Sequence, residues 1–136
     1  MNARNLMTRD MASVRLSATL HEVVNLMHDE DVRHVPVLEG RYLRGMVSDR
    51  DVRSVTLPMM LAAENPGQQR FDLGASVADV MQTDVITVGP EASAEEIIDL
   101  MMDHKVGALP VVDHETEQLL GIVSYIDVLR AARDLL

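Results

Sequence analysis

Two stretches of this 136-residue chain carry the same residue types in the same order: Gly45-Met46-Val47-Ser48-Asp49-Arg50-Asp51 and Gly121-Ile122-Val123-Ser124-Tyr125-Ile126-Asp127. Each reads glycine, two apolar residues, serine, two variable residues and aspartate, where a strand-like run gives way to a helix-like one. Serine and aspartate at this spacing suit two tasks. They can close a helix N-terminus, with Ser48 or Ser124 as the N-cap and the acid at the third helical position facing the dipole. They can also serve a ligand. A helix N-terminus presents free N–H groups to an anion, and a first-turn carboxylate can accept hydrogen bonds from a vicinal diol such as a ribose. The spacing leaves both open.

Other constellations are weaker. Arg33 and Arg50 have Asp29, Glu30 and Asp49 close in sequence, and exposed pairs of that kind add little stability. His34 reads either as a solvent-exposed histidine or as one close to a phosphate. Among the five histidines, His21 and His28 share a helix face but stand two turns apart, too far to hold one ion without further ligands, so no metal is expected. Acidic pairs such as Asp29–Asp31 and Glu95-Glu96 look like solvated helix faces and ends. No nucleophile–base–orienter arrangement is legible, and no Gly-rich phosphate loop of the Walker kind occurs, so the chain is not expected to be an enzyme.

The net charge of −10 argues against nucleic-acid binding, which needs a dense basic face. That charge is uneven: residues 1–68 carry 8 Arg against 9 Asp/Glu, and residues 69–136 carry 4 Arg/Lys against 13 Asp/Glu. Anion chemistry should therefore lean on the first half. Cysteine is absent, which excludes disulfides and a Cys-ligated metal and fits the cytoplasm. No apolar run approaches a membrane span, and the first ten residues lack the apolar stretch of a signal peptide. With 47% apolar residues, ten Met, one Phe and no Trp, the core should be aliphatic.

The elements that must position the two motifs are themselves duplicated. With Met7 placed on Met81, Ser13-Val14 falls on Thr87-Val88, Glu22 on Glu96, Leu26-Met27 on Leu100-Met101 and Pro36-Val37 on Pro110-Val111. After a two-residue insertion near residues 113–118, Gly45 matches Gly121 and Asp51 matches Asp127. Each copy reads as a short strand (13–16; 85–88) and then an amphipathic helix opened by a capping box, Thr19 with Glu22 or Ser93 with Glu96. Two strands follow (35–38 and 43–48; 109–112 and 120–124), then a second helix. This is an α+β chain of two βαββα-type repeats, expected to pack sheet to sheet about a pseudo-two-fold axis. Repeat one spans 1–63, a linker with Pro66, Gly67 and Gly74 spans 64–75, and repeat two spans 76–136. At roughly 55 residues each, neither should be stable alone. Pro58 should lie in a first helical turn or break its segment, and the apolar run 55–63 reads as core or as a Met-rich dimerisation patch.

The duplicated pattern resembles the cystathionine β-synthase (CBS) domain, which occurs in pairs, and covers the whole chain: Met-x-x-Asp before the first strand, the amphipathic helix, the Pro-Val strand and Gly-x-x-Ser-x-x-Asp. The segment 45–54 is similar to stand-alone bacterial CBS pairs, including the acetoin-utilisation type, with no room for a fused catalytic, transporter or DNA-binding domain. The resemblance implies ligands in two related clefts between the copies. Asp51 and Asp127 would hold ribose hydroxyls. Ser48 and Arg50, Ser124 and Ile126, and the pairs Arg33-His34 and Gly107-Ala108 would lie near phosphate. Thr83, Asp84 and Val85 would contact the base. Because Gly107, Ala108 and Ile126 are uncharged, the Asp51 cleft should be the better one.

The implied function is a non-catalytic regulatory sensor that requires no cofactor. AMP, ADP or ATP leads as ligand, with S-adenosylmethionine, NAD or cyclic di-AMP behind. A homodimer and an effector protein are the implied partners, with no nucleic acid and no membrane. The rival is a dimerisation or adaptor protein that has lost nucleotide sensing, in which the Ser-x-x-Asp residues are helix caps alone.

Overall fold

The computed structural model describes residues 1–62 and 74–136, with side chains described as far as Thr56 in the first stretch. The expected linker at 64–75 and the side chains of the Met-rich run from residue 57 onward therefore lie largely outside the described residues. The elements are α1 (Ala3–Leu6), β1 (Val14–Arg15), α2 (Leu20–Glu30), β2 (His34–Glu39), β3 (Tyr42–Ser48), α3 (Asp49–Ala62), α4 (Ala94–His104), β4 (Ala108–Val112), β5 (Leu119–Ser124) and α5 (Tyr125–Leu135), with a short 3-10 turn at Val77–Asp79. They form one sheet of order β1-β2-β3 and one of order β4-β5, an α+β fold.

Helices α2 and α4 form where the repeat calls for them. Thr19 accepts from the Glu22 N–H at 3.3 Å, and the Glu22 carboxylate accepts from the Thr19 N–H at 3.3 Å, closing a full capping box. In α4 the Ser93 hydroxyl accepts from the Glu96 N–H at 3.1 Å. Leu20, Val23 and Met27 are buried, as the 3, 4, 7 spacing requires, while Val24 and its counterpart Ile98 remain at the surface. Both helices end on a left-handed non-glycine residue, Asp31 (φ 52°) and Lys105 (φ 54°). The backbone of α3 continues past Pro58 to Ala62, so this proline neither starts nor breaks its helix.

The first strands of the two copies differ. In copy one, Val14 pairs in parallel with Val37 and Arg15 with Leu38, and the Leu16 N–H donates to the Leu38 carbonyl at 3.0 Å. In copy two the expected strand at 85–88 shrinks to a single parallel bridge between Val88 and Val111. The reason is in the sequence. Pro90 stands where copy one has Leu16, and without an N–H it cannot donate the next ladder bond. The two-residue insertion lies in the β4–β5 loop, where the Asp113 carboxylate accepts from the Glu115 and Thr116 N–H groups at 2.8 and 3.1 Å. Those bonds hold the exposed Asp113 carboxyl below the usual carboxylate range.

The compact units of the chain are not the sequence repeats. One unit, here the Asp51 unit, joins Ala12–Gly40 and Arg44–Val85; the other, the Asp127 unit, joins Met1–Met11, Arg41–Leu43 and Ile86–Leu136. Each unit therefore takes the leading segment of the opposite copy. In the Asp51 unit, the Val77 N–H donates to the Ala18 carbonyl and the Leu20 N–H to the Ala75 carbonyl, at 2.8 and 2.9 Å. In the Asp127 unit, Ala3 and Ala94 do the same to Ala92 and Met1, at 2.8 and 3.1 Å. The cores follow. Val23, Val35, Val37, Val47, Val52 and Val77 cluster in the first, and Ala3, Leu6, Val88, Ile97, Leu109, Val111 and Val123 in the second. Both are aliphatic throughout.

Candidate functional site

Strand β3 delivers Ser48 to the start of α3, and the chain turns there because Ser48 and Asp51 cap each other. The Ser48 N–H donates to Asp51 Oδ2 at 2.8 Å, and the Asp51 N–H donates to Ser48 Oγ at 3.1 Å. A third tie fixes the corner: the Asp49 N–H donates to the Arg33 carbonyl at 2.8 Å, setting the residue before β2 beside the helix start. One carboxylate oxygen of Asp51 is thus spent on the cap. The other, Oδ1, accepts from the Gln82 side-chain amide at 3.0 Å.

Gln82 is held there by its backbone. Its N–H donates to the Met46 carbonyl at 2.8 Å, and its carbonyl accepts from the Met46 N–H at 2.9 Å. This close approach explains the motif glycine. A Cβ on Gly45 would meet Met81 Sδ at 2.6 Å and the Gln82 carbonyl oxygen at 2.8 Å, so only glycine lets the segment lie on the strand.

The surrounding charges are only partly committed. Asp49 pairs with Arg53, and among the described residues neither Arg33 nor Arg50 makes an ion pair. The pairings of these arginines with Asp29, Glu30 or Asp49 do not form. His34, the first residue of β2, is half-buried, and burial holds its imidazole below the ordinary 6.5; the Asp51 carboxylate opposes this, Arg33 adds to it, and Asp49 opposes it. Thr83, Asp84 and Val85 follow Gln82 directly and belong to the same unit. The Asp51 unit thus gathers Arg33, His34, Ser48, Asp51 and Gln82 at one corner, with Arg50 exposed on the first turn of α3.

The Asp127 unit repeats the corner with different side chains. The Ser124 N–H donates to Asp127 Oδ2 at 2.8 Å, the Asp127 N–H donates to Ser124 Oγ at 3.3 Å, and the Tyr125 N–H donates to the Gly107 carbonyl at 2.9 Å. The Thr8 hydroxyl takes the place of the Gln82 amide, donating to Asp127 Oδ1 at 3.3 Å. Gly121 is required for the same reason as Gly45, since a Cβ there would sit 2.7 Å from Met7 Sδ and 2.9 Å from the Thr8 carbonyl oxygen. Two differences matter. Arg130 stands 3.8 Å from Asp127 Oδ1, where copy one has Ser54, and Ala108 is buried. Asp127 is therefore more fully committed than Asp51.

Thr8 and Gln82 are the participants that the motif spacing alone does not reveal. The Met7–Met81 match does align them, but nothing in that match says that each segment lies on the other copy's strand. Among the described residues no group of three His, Asp or Glu side chains is arranged to hold a metal ion, and no helix is long and apolar enough to cross a membrane.

The family model for the CBS domain matches residues 3–57 and 77–134. The CBS domain-containing protein YhcV of Bacillus subtilis is 31% identical over 127 residues, covering 93% of this chain and 82% of YhcV. Among solved structures, the Vibrio cholerae protein assigned to acetoin utilization, AcuB, superposes with a TM-score of 0.82 at 32% identity, covering 99% of this chain and 92% of that one. CBSX2 in complex with AMP also superposes at 0.82, with 25% identity over 98% of this chain and 97% of its own. The chain spans only 23–25% of some larger relatives, inosine-5′-monophosphate dehydrogenases among them.

Proposed function

The chain belongs to the CBS-domain family, and we propose that it is a regulatory module, without catalysis of its own, that binds an adenine nucleotide at the Asp51 corner. The observation that carries this reading is the unequal commitment of charge. Asp51 keeps one oxygen outside its helix cap, while among the described residues the exposed Arg33 and Arg50 beside it make no ion pair. A ligand bearing a diol and a phosphate uses both, the hydroxyls at Asp51 and the anion at the arginines and the α3 N-terminus. The AMP complex of CBSX2 supports AMP first, with ADP and ATP next and S-adenosylmethionine, NAD or cyclic di-AMP after them. Thr83, Asp84 and Val85 take the base.

At the Asp127 corner, with Ser124, the Arg130 guanidinium stands 3.8 Å from the carboxylate and Ile126 stands where Arg50 does, so binding there is weaker. The module is cytoplasmic and works as a homodimer through exposed helix residues such as Ile98 (38% exposed), Met102 (64%) and Leu129 (59%). An effector protein reads the ligand state. For the ligand to act as a signal it must prefer one arrangement of the protein over another.

Calorimetric titration with AMP tests the reading. Asp51→Asn, which keeps the side chain's size, should abolish most binding, and Asp127→Asn should leave most of it. Equal losses from the two would overturn the assignment. No heat and no thermal shift with AMP, ADP or ATP at millimolar concentration would favour the second reading, a dimerisation adaptor. That reading draws on one observation: the Ser–Asp pairs close both helix caps by themselves. Sedimentation of the same samples should give a dimer.

A further inference from the structure

We infer that Gln82 is a ligand-reading residue: its side-chain amide completes the diol site at Asp51. The inference rests on the nucleotide reading above and comes from counting acceptors. Asp51 Oδ2 accepts from the Ser48 N–H at 2.8 Å and is turned into the helix cap. Oδ1 already accepts one hydrogen from Gln82 Nε2, at 3.0 Å. A carboxylate oxygen offers about two acceptor positions, so Oδ1 has room for one ligand hydroxyl and not two. With Oδ2 turned into the cap, the second hydroxyl of a vicinal diol is best met by another acceptor close to Oδ1 and outside the cap. Gln82 Oε1 is that acceptor, because it sits on the same planar amide whose nitrogen Asp51 holds. The carboxylate orients the amide and the amide supplies the missing lone pairs.

The arrangement is built twice with different chemistry. Thr8 donates its hydroxyl hydrogen to Asp127 Oδ1 at 3.3 Å, and in doing so keeps its own oxygen lone pairs beside the carboxylate. In both units the backbone of the residue is fixed independently of its side chain, Gln82 by two bonds to Met46 and Thr8 by two to Ile122. The side chain can therefore be exchanged without moving the segment. A helix cap needs neither Gln82 nor Thr8, since the Ser–Asp pair closes it alone.

The test compares AMP with 2′-deoxy-AMP by calorimetry on the full chain. The unmodified protein should prefer AMP by about tenfold, the size of one hydrogen bond to a polar or charged group. Gln82→Met, of similar length but without acceptors, should lose about tenfold in AMP affinity and bring the ratio close to one. Gln82→Thr, which installs the arrangement of the other unit, should keep a clear preference for AMP. A ratio near one in the unmodified protein would overturn the inference before any variant is made. So would an unchanged ratio in Gln82→Met, or tighter AMP binding by it, which would mean that the amide competes with the ligand for Oδ1. If the unmodified protein binds neither nucleotide, the nucleotide reading falls and this inference with it. Failure of the variant ratios alone removes only Gln82.

Discussion

Asp51 divides its two oxygens between the helix cap and the Gln82 amide, and a neighbouring side chain registers the charges of the same corner. His34 shares the corner with Asp51, Arg33 and Asp49, and burial outweighs the two carboxylates in holding its imidazole below the ordinary 6.5. The unfolded chain therefore takes up a proton more readily than the folded one. The contribution of neutral His34 to stability is present above pH 6.5 and is lost as pH falls below that value toward the folded pKa. In urea titrations at pH 7.5 and 5.5, the native protein should lose stability between the two, and His34→Gln should lose measurably less. An equal loss in both proteins would show that His34 does not carry the effect. The sequence made Ser48, Asp51, Arg33 and His34 visible, because the motif is duplicated and the charges are not. It did not make Gln82 visible. A glutamine in an extended segment has no periodicity of its own, and its bond to Asp51 spans 31 residues.

At the scale of elements, the glycine of each motif proves to be a spacer. In the fold it is the floor on which another segment lies. Gly45→Ala places a methyl group against the Gln82 carbonyl oxygen, a backbone atom that cannot swing aside. The substitution should cost about 1–3 kcal/mol, the usual range for overpacking. The loss should show as a lower denaturant midpoint with the same slope. Gly40→Ala, where a Cβ meets nothing within 4 Å, is strained only by its φ of 64° and serves as the comparison. An equal or smaller loss at Gly45 would remove the packing explanation. Helices α2 and α4 were legible because capping boxes and the 3.6-residue period agree. The first strand of copy two is shorter in the fold than its apolar run suggests, and Pro90 is the cause, since a ladder needs N–H groups. Helix α1 and the turn at Val77–Asp79 are too short for any period to announce them.

At the scale of the whole chain, duplication is legible and exchange is not. The copies align residue by residue, yet each compact unit is completed by a segment drawn from the other copy. Met1–Met11 supplies Ala3 and Leu6 to the core around Ile97 and Val123, and Val77 is buried in the core around Val23 and Val47. Cutting the chain between the copies therefore strips each unit of buried apolar side chains and of the backbone bonds that hold its first helix. A Leu-sized loss from a core costs about 2–5 kcal/mol, comparable to the whole stability of a unit this small. Fragments 1–68 and 69–136, expressed separately, should show little cooperative unfolding by circular dichroism. Mixed in equal amounts they should regain helix signal and a single melting transition, because each carries the segment that the other lacks. If 69–136 alone melts cooperatively at the temperature of the intact protein, the exchanged segment is dispensable. The Asp127 corner would then have to stand without Thr8.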